Sequence, residues 1–132
     1  MTTDLLYLSL TAALTATLWI PYITGQVIIN GPLKPANYRD PAVARPMPAW
    51  GNRAHRVYQN AIETFAPFAA LVIVGHIAGK GDAIGAWAMA YFWVRLAHAL
   101  VYWAGIPVIR TVLFTAGWVI VIGIFVTAIG WA

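Results

Sequence analysis

Apolar residues run through this chain in four long stretches, separated by one long and two short polar connections. The stretches cover residues 5–29, 52–78, 83–104 and 108–131. Because about 20 residues of helix cross the hydrocarbon core of a bilayer, each stretch is long enough to span it. The pattern therefore predicts an all-α fold, an integral membrane four-helix bundle that forms a single domain over residues 1–132.

The three connections differ in length and composition. The first, residues 30–51, holds five prolines, which exclude a regular helix. The other two are short turns at residues 79–82 and 105–107, and short connections make consecutive helices antiparallel neighbours. Inside the first stretch, Pro21 should kink the helix, because its ring clashes with the preceding turn.

Composition and charge agree with a membrane location. The chain is 61% hydrophobic and 9% charged, whereas soluble domains carry about 25% charged residues. Basic residues gather at one side of the predicted bundle, at Lys34, Arg39, Arg45, Arg53, Arg56 and Arg110. The opposite side has Lys80, so the positive-inside rule places the first and third connections in the cytoplasm and both termini on the other side. No basic patch is interleaved with exposed aromatic residues, so we expect no nucleic-acid partner.

Polar side chains form a stripe on the second predicted helix. Arg53, Arg56, Asn60 and Glu63 stand at i, i+3, i+7 and i+10, which places them on one face. Glu63 lies well inside the apolar zone, where a charged side chain facing lipid costs about 2.5 kcal/mol or more. We therefore expect Glu63 to be buried in the bundle and paired with an arginine, either Arg95 or Arg56.

The third helix repeats this pattern. Arg95, His98 and Tyr102 share a face at i, i+3 and i+7 among apolar residues. Ionisable residues inside a membrane are functional-site candidates; the alternative is that these polar pairs merely fasten the helices together. His55 and His76 are interpreted as structural or interfacial. No histidine has a second histidine or a carboxylate at ligand spacing, so no metal site is expected.

The segment from Asn52 to Phe68 resembles the signature of the MAPEG family, the membrane-associated proteins in eicosanoid and glutathione metabolism. The matching residues are Arg56, Asn60, Glu63 and Pro67. Further segments are similar to family motifs in the same order, namely Thr24 to Val27, Arg95 with His98 and Tyr102, and Arg110-Thr111. Gln59, Ile28 and Ile29 stand where the best-characterised members carry basic residues.

The resemblance implies a four-helix subunit that assembles as a homotrimer in contact with membrane lipid. Glutathione would bind between neighbouring subunits near the cytoplasmic side. The implied activities are glutathione transfer to lipophilic electrophiles, glutathione-dependent peroxide reduction and isomerisation of lipid endoperoxides. The chain has no cysteine, so a reacting thiol must come from a bound molecule, with glutathione as the co-substrate and no metal.

By the same resemblance, glutathione-binding positions are Arg56, Gln59, Asn60, Glu63, Arg95, His98 and Tyr102. Arginines bind carboxylates in bidentate fashion, while Asn60 and Glu63 would hold the amide and amino groups. Arg110 would stabilise the thiolate, because a nearby cation lowers the thiol pKa from about 8.5, and Thr111 would offer a hydroxyl. The simpler interpretation of Arg110 is a topological anchor at the membrane edge.

Three function classes compete at this point. The first is an enzyme, a glutathione-dependent transferase or peroxidase acting on lipophilic substrates. The second is a non-catalytic membrane protein that keeps the fold and binds lipid or a partner. The third is a small transporter, although transporters more often show internal repeats, and no clear repeat is visible. Glutathione binding separates the first class from the others.

Overall fold

A computed structural model describes residues 1–32, 34–37 and 47–131 of the protein. The elements are α1 (Thr3–Thr17), α2 (Trp19–Asn30), a 3₁₀ turn (Pro35–Asn37), α3 (Ala49–Ile77), α4 (Gly81–Trp103) and α5 (Pro107–Ala128). Within these residues, four helical stretches are long and apolar enough to cross a membrane, namely α1 with α2, then α3, α4 and α5. The predicted all-α membrane bundle is therefore confirmed. Arg39, Asp40 and Arg45 of the first connection lie outside the described residues.

The first span is broken at Leu18, between α1 and α2. Pro21 lacks a backbone N–H, and its ring clashes with the carbonyl four residues earlier, which belongs to Thr17. Helix α1 ends at that residue. The helix is thus interrupted on the N-terminal side of Pro21, at Leu18, where the proline removes a backbone hydrogen bond.

Helix α3 begins at Ala49, directly after Pro48, and so earlier than the predicted start at Asn52. The amide of Asn52 donates to the Pro48 carbonyl at 3.1 Å, which closes the first turn. A proline is tolerated at a helix start because the first N–H groups have no partner within the helix. The proline-rich connection therefore ends at Pro48, three residues earlier than the sequence predicted.

Helix α4 packs against α1, α3 and α5 and forms the centre of the bundle. The buried core lies in the half next to the α3–α4 turn and contains Phe68, Val72, Ile84, Ala88, Tyr91, Ile120 and Ile124. The Tyr91 ring stacks on Phe68 with centroids 3.9 Å apart. This apolar half leaves the polar side chains of α3 and α4 near the opposite end, where α4 turns into α5.

An Asp–His contact ties the N-terminal helix to the α3–α4 turn. His76 Nδ1 lies 2.7 Å from Asp4 Oδ2, and the Asp4 side chain is fully buried. Gly81 makes this approach possible, because a Cβ there would stand 2.8 Å from the same carboxylate oxygen. His76 therefore has the structural role expected of it, at the end of the bundle remote from the polar stripe.

The substitution His76→Ala should lower the stability of the fold. It leaves the buried Asp4 carboxylate without its partner, so we expect the free energy of unfolding to fall by about 1–3 kcal/mol. The measurement is thermal unfolding in detergent, with Lys80→Ala as a control at the same end of the bundle. A His76→Ala protein that melts together with the wild type would contradict this assignment.

Candidate functional site

The polar stripe of α3 is split between the inside and the outside of the subunit. Arg53 and Asn60 are half-buried, whereas Arg56, Gln59 and Glu63 are exposed. At 3.6 residues per turn, the positions of Arg56 and Glu63 are rotated by about 60–80° from that of Arg53. One stripe on a helical wheel therefore has an inner edge against α4 and an outer edge on the subunit surface.

Both residues of the inner edge form hydrogen bonds with α4. Arg53 Nε donates to the backbone carbonyl of Trp103 at 2.9 Å. Arg95 Nη2 donates to Asn60 Oδ1 at 2.5 Å. Because Arg95 is only 6% exposed, the Asn60 carboxamide is the group that accepts a hydrogen bond from a nearly buried cation.

The predicted ion pair between Glu63 and either Arg95 or Arg56 is wrong for the subunit. Glu63 is exposed, and no salt bridge to it occurs in the part of the chain that the structure describes. The register of the antiparallel helices explains the difference, because Asn60 is level with Arg95. Glu63 lies about one turn further along α3 and on the outer edge of the stripe.

A cleft of about 180 Å³ opens where α3, α4 and α5 meet, and we call it the polar cleft. It is lined by Asn60, His98, Tyr102, Arg110, Thr111 and Phe114. All but Phe114 are candidate site residues from the sequence, and the fold brings them together from three helices. Arg56 and Gln59 do not line it.

A second cavity of about 130 Å³ lies between the same helices, deeper in the span, and we call it the inner cavity. It is lined by Glu63, Thr64, Pro67, Tyr91, Arg95, Phe114, Gly117, Trp118 and Val121. Glu63 and Arg95 therefore share this space without forming an ion pair. Phe114 lines both cavities, so a single aromatic side chain is common to the two.

The polar groups of the polar cleft favour an anionic ligand. Each can donate a hydrogen bond, and none of the lining residues is a carboxylate. The Arg110 guanidinium lies over the Tyr102 ring, with Cζ 4.6 Å from the ring centroid, in a cation–π contact. Phe114 adds an aromatic wall to the cleft.

His98 is the buried member of the polar cleft. It is 2% exposed, and its Nδ1 has no hydrogen-bond partner among the described residues. A buried polar atom without a protein partner is normally satisfied by a water or a ligand.

Among the residues the structure describes, no group of three or more His, Asp or Glu side chains could hold a metal ion.

Sequence reasoning missed the residues that support the polar cleft from behind. The Tyr91 hydroxyl donates to the Thr64 carbonyl at 3.1 Å, and Thr64 Oγ1 donates to the Asn60 carbonyl at 2.8 Å. Tyr91 stands four residues before Arg95, a spacing that places both on one face of α4, so this signal was available. Phe114 gave no signal, because it resembles the other apolar residues of α5.

We expect Asn60→Ala to destabilise the subunit even without ligand. It removes the acceptor of the Arg95 guanidinium in a nearly buried position, and a hydrogen bond to a charged group contributes about 1.5–3 kcal/mol. Thermal unfolding in detergent measures the loss. Asn52→Ala, at an exposed position of the same helix, is the matched control. Equal melting temperatures for the two variants would refute the role given to Asn60.

The comparisons with known proteins gave one result. The model of the MAPEG family matches residues 5–130 of the chain. Neither the search of curated proteins nor the search of solved structures found a match. The family match reaches into all four candidate membrane spans and includes every residue of the polar cleft.

Proposed function

Because the chain belongs to the MAPEG family, we propose that it is a membrane-embedded, glutathione-dependent transferase or peroxidase acting on lipophilic substrates. The family includes glutathione transferases and peroxidases. The observation that carries the proposal is the polar cleft, which has hydrogen-bond donors, a cation and no carboxylate. Glutathione carries two carboxylates and a thiol, and this chain supplies no thiol of its own.

In this proposal the polar cleft holds the acidic and reacting parts of glutathione. His98, Tyr102 and the Asn60 carboxamide donate to its acceptor oxygens, since charge-assisted hydrogen bonds of this kind are the strong ones. Glu63, at the edge of the inner cavity, pairs with the ammonium group of glutathione. Arg56, on the outer edge of the stripe, and the exposed Gln59 beside it extend the binding surface toward a neighbouring subunit.

The proposed chemistry uses Arg110 and Thr111 at the thiol. The Arg110 cation stabilises the thiolate, and the thiol proton passes to water. In the transferase reaction the sulfur forms a bond to an electrophilic carbon, and the leaving group departs with the electron pair of the broken bond. In the peroxidase reaction, two glutathione molecules supply the two electrons that reduce the peroxide to an alcohol and water, and they become the disulfide.

The lipophilic co-substrate would reach the sulfur from the bilayer through the inner cavity. This cavity is lined mainly by apolar side chains, and Trp118 at its rim is 60% exposed on the surface of the span. Phe114, which lines both cavities, lies where the thiol and the co-substrate would meet. An apolar substrate dissolved in lipid would therefore not have to cross water.

A homotrimer is the proposed assembly. Arg56, Gln59 and Glu63 lie on the surface of a membrane-spanning helix, where one charged group facing lipid costs about 2.5 kcal/mol or more. A second copy of the chain would cover these side chains with polar contacts. The number three comes from the family, whose members are often trimers.

The alternative function is a non-catalytic MAPEG-fold protein that binds lipid or a partner. Gln59 and the exposed Ile28 favour it, because both stand where cations are expected in the resembling enzymes. Fewer cations weaken the binding of a dianionic ligand. Calorimetric titration of the purified protein with glutathione distinguishes the two functions.

We expect native mass spectrometry from mild detergent to show a trimer for the wild type. Glu63→Leu removes the charge that needs a polar neighbour, and this substitution should shift the population toward smaller species. Ile73→Leu, at an exposed apolar position of the same helix, is the control and should remain trimeric. A wild type that is solely monomeric or dimeric would count against the assembly.

The replacement of Arg110 tests the proposed chemistry. Arg110→Ala should raise the pKa of the bound thiol and lower turnover with a halogenated nitrobenzene by roughly 100-fold, as the loss of one electrostatic contact to a reacting anion does. The loss of glutathione affinity should be smaller than this loss of turnover. Arg110→Lys should restore little of this, because a lysine places its charge differently. Stopped-flow ultraviolet absorbance of the thiolate measures the pKa.

Lys80→Ala, which removes a cation at the other end of the bundle, controls for net charge and should behave like the wild type. If Arg110 is only a topological anchor, Arg110→Lys will be silent in every assay. A wild type that gives no thiolate signal at neutral pH with saturating glutathione would remove the basis for the transferase proposal.

A further inference from the structure

The hydrogen bond between Arg95 and Asn60 decides which end of the Asn60 carboxamide faces the polar cleft. A guanidinium can only donate hydrogen bonds, so the Asn60 atom that faces Arg95 Nη2 must be the carbonyl oxygen Oδ1. The amide nitrogen Nδ2 is then the atom left for the cleft that Asn60 lines. In the described residues it donates to no other group and is not enclosed.

Arg95 itself does not line the polar cleft. It is 6% exposed and borders the inner cavity and a small cavity of about 10 Å³ next to Thr11 and Thr15. The neighbouring bonds, from Thr64 Oγ1 to the Asn60 carbonyl and from Tyr91 to Thr64, fix the backbone and leave the carboxamide free to rotate. Within the described residues, Arg95 is therefore the group that sets the orientation of this amide.

We propose that Arg95 is a positioning residue, which acts on a bound ligand through Asn60 and makes the cleft present an N–H donor at this position. The ligand group that meets it is an acceptor oxygen, a carboxylate or an amide carbonyl. The identity of the ligand as glutathione rests on the proposed function, whereas the orientation of the amide does not.

The orientation matters because the two ends of a carboxamide have opposite hydrogen-bonding roles and nearly the same size. Without Arg95, Asn60 can rotate its oxygen into the polar cleft. An anionic ligand then loses a donor and meets an acceptor in its place. The affinity should fall about tenfold or more, the loss expected for one hydrogen bond to a charged group.

A ligand-free experiment tests the orientation. Asn60→Asp keeps the shape of the side chain and the oxygen that faces Arg95. The new carboxylate forms an ion pair with Arg95, so the melting temperature in detergent should equal or exceed that of the wild type. In an Arg95→Leu background the same Asp substitution should lower the melting temperature by several degrees. If Asn60→Asp lowers the melting temperature of the otherwise wild-type protein by several degrees, the proposal is overturned. This comparison does not need the Arg95→Leu protein and remains decisive even if that variant fails to fold.

A double-mutant cycle with glutathione tests the action through Asn60. Arg95→Leu should weaken binding about tenfold, Arg95→Lys should restore most of the loss, and in an Asn60→Ala background Arg95→Leu should have no further effect. Arg53→Leu, which removes another arginine bond between α3 and α4, should lower stability and leave affinity unchanged. The proposal would be overturned if the losses of affinity from Arg95→Leu and Asn60→Ala multiplied in the double variant. It would also be overturned if Arg53→Leu lowered the affinity as much as Arg95→Leu does.

The two arms separate this inference from the proposed function. A wild type that does not bind glutathione refutes the proposed function, and the melting temperatures of the Asn60→Asp proteins still decide the orientation of the amide. Conversely, tight glutathione binding combined with a destabilising Asn60→Asp substitution leaves the proposed function standing and overturns the role of Arg95.

Discussion

A guanidinium held inside a membrane-spanning bundle is the constraint on which the functional half of this protein depends. Arg95 is nearly buried, and the cost of a charge in this environment demands a polar partner. Asn60 supplies it across the α3–α4 interface. This contact restricts the rotation of both helices, because a different face of α3 toward α4 would leave the cation without its acceptor.

The same register brings the other polar groups together. One turn away from Arg95 in each direction, Tyr91 bonds to Thr64 of α3 and His98 enters the polar cleft. Toward the α3–α4 turn the interface becomes apolar, with Tyr91 stacked on Phe68. The bundle is thus a closed, packed structure at one end and an open one at the other. The short α4–α5 turn completes the open end by placing Arg110 over Tyr102.

The sequence predicted the parts of this arrangement that depend on composition and spacing. Four long apolar stretches, the helix interruption before Pro21 and the polar residues on α3 and α4 could all be identified from it. The partner of Arg95 could not, because depth in a hydrophobic span is estimated only to about one helical turn, and Asn60 and Glu63 differ by about that much. Charge complementarity predicted the Glu63 carboxylate as the partner of Arg95, but the rotation of α3 places the Asn60 amide there instead.

The rotation of α3 about its axis also explains why the sequence indicated one polar face on this helix, whereas the structure divides it into an inner and an outer edge. Four positions within a sector of about 80° look alike in the sequence, yet Asn60 bonds to α4 and Glu63 lies on the surface. Phe114 could not be distinguished from its apolar neighbours until α5 was in place. The chemistry of the ligand is a step further from the sequence, since a cleft of donors defines the charge of its occupant better than its identity.

The central claim is that a cleft lined by hydrogen-bond donors recognises the carboxylates of a thiol-bearing ligand. Esterifying the carboxylates of glutathione tests this claim. Calorimetric titration of the wild-type protein in detergent would compare glutathione with its diethyl ester, which keeps the thiol and the amides but lacks both negative charges. The polar cleft predicts that glutathione binds and that the diester binds at least about tenfold more weakly, since hydrogen bonds to charged groups are the stronger ones. Equal affinities for the two compounds would contradict the account.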